Sequence, residues 1–142
     1  MGEQTLVRGQ VTNAGFDNAE AVRNLSVHEF GHTFINPLTV LPAVAPGLTA
    51  HQALFKPIPG QLQYRDWQTS FNEHLVRAGE VRIALALGLP EVSQQLRTAY
   101  STWIYLPFFE AQLQRYEANR ARYPTIESFL PNLIRALPEL AR

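Results

Sequence analysis

The chain has 142 residues, 46% of them apolar and 17% charged, which is enough to fill one core and too apolar for a disordered tail. Its 12 basic and 12 acidic residues cancel, and Lys56 is its single lysine; this balance argues against a nucleic-acid face and against a polybasic membrane anchor. Cysteine is absent, so disulfides, thiol catalysis and cysteine-type zinc sites are ruled out, and no stretch approaches the ~20 apolar residues of a membrane span.

The first readable element is Thr5 to Val11, short and β-favouring, with Gly9 inside it as a candidate bulge. Asn13-Ala14-Gly15 then breaks the chain. A helix is predicted from Asn18 to Ile35, with Asp17 as N-cap and Glu20 three residues on as its capping-box partner. Asn36-Pro37 should end it, because a residue before proline is pushed out of helical geometry. Five prolines fall between Pro37 and Pro59, so loops with one short helix near Leu48 to Phe55 are expected there. Further helices are predicted over Asp66 to Leu87, Glu91 to Leu106 and Pro107 to Arg122. The last, Thr125 to Ala141, should break at Pro131 and Pro138. The fold class is therefore mainly α, α+β at most, with one or two strands at the front.

The first helix carries His28-Glu29-Phe30-Gly31-His32, an H-E-x-x-H. Histidines at i and i+4 lie one turn apart on one helix face, so both imidazoles can reach one metal ion. Glu29 stands beside them, where a carboxylate can take a proton from a water that the metal activates. The plainer reading is two histidines packed on a helix; the predicted cap, helix and stop around the motif favour the metal. A catalytic zinc needs a third protein ligand and an open position. The candidates are His51, Glu73, His74 and Glu80. A third histidine six residues past His32 is ruled out, since that position holds Leu38.

The second half of the Asp66–Leu87 helix is apolar on nearly every side, which marks it as buried. Glu73, Arg77 and Glu80 form a polar stripe along it at i, i+4 and i+7. Buried carboxylates must be paired or metal-bound. Glu73 on zinc, with Arg77 one turn on and Glu80 paired to Arg77, would satisfy the whole stripe. A purely structural Glu–Arg–Glu ladder is the competing reading. His74 falls with Trp67, Phe71, Ala78 and Val81 on a more apolar face and reads as a packed histidine or a support for a ligand. His51 reads as a loop or short-helix residue.

Two histidines and a downstream helical glutamate resemble the gluzincin class of zinc metallopeptidases. More narrowly, His28 to Pro37 (HEFGHTFINP) resembles the motif of a bacterial family catalogued only as a domain of unknown function. Its E-H-x-x-R-A segment is matched by Glu73 to Ala78, and Tyr116 to Thr125 is similar to its closing helices. The resemblance implies a zinc metallopeptidase acting on a peptide or protein substrate. It makes His28, His32 and Glu73 the Zn2+ ligands and Glu29 the base. It also implies one minimal zincin-like domain over residues 1–142. Only 27 residues precede His28, short for the sheet that usually lies before a zincin helix, so the chain reads as a minimal zincin or a fragment of a longer one. Met1 to Gln10 lacks an apolar signal core. The expected location is extracytoplasmic if an export signal lies outside this chain, and cytoplasmic otherwise.

The expected reaction is metal-assisted amide hydrolysis, with Glu29 moving the proton and the oxyanion held by zinc plus a side-chain donor. Arg77, Tyr64, Tyr100 and Tyr105 are the candidate donors. Asn36 can orient His32 or cap the helix end. Two rivals stand beside this. One is a zinc-binding module without turnover. The other is a helical interaction domain whose partner stripe is Phe108, Phe109, Leu113, Tyr116 and Tyr123, although such a stripe at helical spacing is usually core.

Overall fold

The computed structural model describes residues 6–7, 10–11, 18–55 and 66–141. Within these the chain is mainly α. Two short strands, β1 (Leu6–Val7) and β2 (Gln10–Val11), pair antiparallel with Leu6 opposite Val11 and Val7 opposite Gln10. The single strand expected over Thr5–Val11 is thus two paired halves. Gly9, the expected bulge, lies outside the described residues, as does Asp17, the expected cap.

Helix α1 spans Ala19–Thr39. Asn18 caps it, its side-chain oxygen accepting from the Ala21 N–H at 3.0 Å, so an orphan donor of the first turn is satisfied one residue later than expected. The helix also runs past the stop predicted at Asn36-Pro37. Proline removes one donor near a helix end whose last carbonyls lack partners in any case. Beyond it, Thr39 is 1% exposed and Leu38 and Leu41 pack on the core, and that packing outweighs the local bias.

A short helix α2 (Ala45–Thr49) and a 3-10 turn at Gln52–Leu54 follow. They deliver Leu48 and Phe55 into the core, both essentially without solvent contact. Helix α3 (Trp67–Ala86) starts at Asp66, which accepts from Thr69 N–H at 2.7 Å. It ends in Leu87-Gly88, where Gly88 adopts φ 73° and Leu89 N–H returns to the Ala84 carbonyl at 2.9 Å. A left-handed residue just past a helix suits glycine, which has no Cβ to clash. Burial in α3 is concentrated over Ser70–Val81, not in the apolar second half where it was expected. Ile83 is 44% and Leu87 62% exposed, because that end of the helix runs past the elements it packs against, α1, α4 and α5.

Helix α4 covers Pro90–Ala99 rather than continuing to Leu106. The residues from Tyr100 turn inward, burying Trp103 to 3% exposure, and α5 (Leu106–Ala118) starts anew with Pro107 in its first turn, where the missing N–H costs nothing. Helix α6 (Ile126–Ala136) is capped reciprocally by Thr125 and Ser128 and passes through Pro131 without the predicted break. Buried Phe129, Leu130 and Leu133 hold both sides of that proline in register. The second expected break is present, as a 3-10 segment over Leu137–Ala141.

Phe55, Phe71, Phe109, Phe129, Leu75 and Leu133 are among the largest fully buried side chains. Burying each contributes roughly 1.5–3 kcal/mol. Phe109 and Leu113 are core, with Phe108, Tyr116 and Tyr123 packed against it, so the aromatic stripe that suggested a partner surface closes the interior instead. Among the described residues, no helix is long and apolar enough to cross a membrane.

Candidate metal centre

The site forms where α1 crosses the middle of α3. His28 and His32, one turn apart on α1, turn the same face toward α3, with ring centroids 4.7 Å apart and rings nearly perpendicular. Their Nε2 atoms lie 3.2 Å from each other. Glu73, 5% exposed on α3, brings Oε1 to 3.0 Å from His32 Nε2 and Oε2 to 3.8 Å from His28 Nε2. One donor atom from each of the three residues falls within 4.8 Å of the others. Donors about 2.0–2.2 Å from a tetrahedral zinc stand roughly 3.3 Å apart, so these separations fit one ion.

The chemistry behind the donors fits as well. Each imidazole has an acceptor at its other nitrogen: Glu80 Oε1 is 2.5 Å from His28 Nδ1, and Asn36 Oδ1 is 3.2 Å from His32 Nδ1. Protons placed where those acceptors stand leave both Nε2 lone pairs pointing at the shared position. Two lone pairs 3.2 Å apart repel unless a proton or a cation lies between them. The Glu80 hydrogen bond raises the His28 pKa against the opposing effect of burial. Arg77 Nη2 stands 2.9 Å from Glu73 Oε2, yet this buried oxygen accepts no hydrogen bond. The contact is an ion pair without hydrogen-bond alignment, and the oxygen keeps capacity for a cation. Two imidazoles and one carboxylate are a donor set that zinc takes in catalytic sites.

The remaining residues singled out from sequence fall in three places. Glu29 is exposed beside the histidine pair. Arg77 is largely buried, its guanidinium 4.5 Å from the Tyr100 ring centroid and 4.6 Å from that of Trp103. Glu80, expected to serve Arg77, instead directs Oε1 to His28 and accepts the Tyr100 hydroxyl at Oε2. Burial and this carboxylate push the Tyr100 pKa well above the usual phenol range, so its hydroxyl acts as a donor.

His74 and His51 lie outside the three-residue group. His74 Nδ1 donates to the Ser70 carbonyl at 2.7 Å and its ring packs among Phe55, Trp103, Tyr105 and Phe109. Burial pushes its pKa down to about 4, so it is neutral at pH 7. His51 Nδ1 donates to the Gly47 carbonyl at 2.9 Å, a local contact at the C-terminal end of α2. Tyr105 belongs to the aromatic cluster around Phe55 and His74, and Tyr64 lies outside the described residues.

This helical fold, with two histidines and a glutamate gathered between α1 and α3, can be compared with known proteins. The chain belongs to the family described as a domain of unknown function, DUF4932, whose model matches residues 5–136. Neither the curated proteins nor the solved structures returned a match.

Proposed function

We propose that this chain is a zinc-dependent metallopeptidase of the gluzincin type, acting on a peptide or protein substrate. The observation that carries the reading is the convergence of His28 Nε2, His32 Nε2 and a Glu73 carboxylate oxygen within 4.8 Å, with both Nδ1 atoms already engaged. His28, His32 and Glu73 would hold the ion. Bound zinc lowers the pKa of a water toward about 7 and polarises a carbonyl.

The protein's own groups do the rest. Glu29, exposed and adjacent to His28, accepts the proton of the attacking water at its carboxylate and returns it to the leaving amine. Asn36 and Glu80 keep the two imidazole rings aimed at the ion position. Arg77 balances the charge of buried Glu73, since an unpaired buried carboxylate is costly. Its guanidinium lies 2.9 Å from the Glu73 carboxylate, so it is also the candidate that steadies negative charge on the substrate oxygen.

The test has two stages. Metal analysis of protein purified without added metal should give about one zinc per chain, retained by Glu29→Gln and much reduced in Glu73→Ala. Digestion of a mixed peptide library should show cleavage by the native protein, lowered roughly 10²–10⁴-fold in Glu29→Gln. Full zinc in Glu73→Ala would overturn the ligand set. Zinc without any Glu29-dependent cleavage would make the chain a binding module instead.

A further inference from the structure

The support behind His28 extends past Glu80. Glu80 Oε2 accepts from the hydroxyl of Tyr100, which stands at the C-cap of α4, outside both helices that carry the ligands. The ring of the same residue reaches the other flank of the site. It covers the guanidinium of Arg77, which Trp103 also faces, and Arg77 is the ion-pair partner of Glu73. One side chain therefore touches the supports of two of the three donors.

We infer that Tyr100 is a positioning residue of the metal centre, acting through Glu80 on His28 and through Arg77 on Glu73. The inference rests on the metal reading above and adds a residue that lies in neither the H-E-x-x-H nor the Glu73 segment. A buried carboxylate held at one oxygen alone can swing about its last torsion. A second donor on the other oxygen pins it. A pinned Glu80 fixes the His28 ring plane and keeps its proton on Nδ1, so the Nε2 lone pair stays on the ion position. On the opposite flank, a guanidinium facing two aromatic rings in a largely water-free setting is held by cation–π attraction, which keeps it against Glu73. The two arms separate in part by substitution, since the hydroxyl also interacts with Arg77. Phenylalanine keeps the ring and loses the hydroxyl; leucine loses both.

Two readouts test this. Zinc affinity is measured by competition with a chromophoric chelator. Exchange of the His28 Nδ1–H proton with water is followed by NMR in the zinc-free protein. Tyr100→Phe should weaken zinc binding about tenfold, and Tyr100→Leu should weaken it further. In a Glu80→Leu background Tyr100→Phe should cost much less, because the route through the carboxylate is gone. In zinc-free protein Tyr100→Phe should speed exchange of the His28 proton while the Leu113 amide in α5 keeps its native protection. Native affinity and native exchange in Tyr100→Phe would overturn the inference, as would an affinity loss undiminished by Glu80→Leu. If the native protein takes up no zinc, the metal reading fails by itself. The exchange measurement then still decides whether Tyr100 fixes His28.

Discussion

Gly31, inside the H-E-x-x-H motif, meets Val76 across the α1–α3 contact so closely that an added Cβ would stand 2.9 Å from Val76 Cγ1. Valine is branched at Cβ and stiff in a helix, so it cannot swing aside freely. Gly31→Ala gains up to about 1 kcal/mol of helix propensity but forces the two helices apart at a cost of about 1–3 kcal/mol. The expected result is a net loss of stability on the order of 1 kcal/mol, with weaker zinc binding, because the histidines ride on α1 and Glu73 on α3. Chemical denaturation checks it. The double variant Gly31→Ala/Val76→Ala should recover part of the loss, by a coupling of about 1 kcal/mol. Purely additive losses would place the strain elsewhere.

Gly79 provides the opposite sign. It lies in the interior of α3, and an added Cβ would meet nothing within 4 Å. Gly79→Ala should therefore stabilise the protein by about 0.4–1 kcal/mol, mostly by restricting the unfolded chain. The denaturation midpoint should rise with an unchanged slope. A fall would mean that the apolar groove bordered by Gly79, Phe34 and Ile83 needs that space.

These two helices were also the most legible part of the sequence. The i, i+4 histidines and the charged stripe along α3 are local periodic signals, and they single out His28, His32 and Glu73 without reference to tertiary contacts. Helix ends read less well. Pro37 and Pro131 sit inside helices because buried neighbours such as Thr39, Phe129 and Leu130 hold the backbone, and sequence bias carries no information about that packing. The inward turn at Tyr100 was invisible for the same reason, since Trp103 leaves the helix to fill the core. Glu80 could be assigned to the right face but not to its partner. Its bond to His28 joins positions 52 residues apart, and the polar stripe alone pointed to Arg77.

Asp66 makes the start of α3 sensitive to acid. Its carboxylate accepts from the Thr69 hydroxyl at 2.6 Å and from the Thr69 N–H at 2.7 Å. Hydrogen bonding to the Thr69 side chain, then to its backbone, lowers the Asp66 pKa from the usual carboxylate value. A group depressed in the folded state contributes stability that is fully present above its unfolded pKa, near 3.9, and is lost as pH falls through the folded value. Asp66→Ala should cost about 1 kcal/mol at pH 7. The gap between variant and native protein should close at the acid end, below the folded pKa. Urea denaturation of both proteins across that range checks it, and a gap that persists there would show that the cap works without its charge.

Zinc should stabilise the fold through the same crowded donors it would bind. A ligand that binds only the folded state adds RT ln(1 + [L]/Kd), about 2.7 kcal/mol at a hundredfold excess over Kd. His28 and His32 hold their Nε2 atoms 3.2 Å apart beside a buried carboxylate, an arrangement that a bound divalent cation would relieve. Thermal unfolding with zinc should therefore begin at a higher temperature than with chelator, and the shift should reverse when chelator is added back. His32→Ala should lose most of the shift, while Glu29→Gln, which changes an exposed group outside the ligand set, should keep it. Equal shifts in native protein and His32→Ala would mean that the ion sits somewhere other than between α1 and α3.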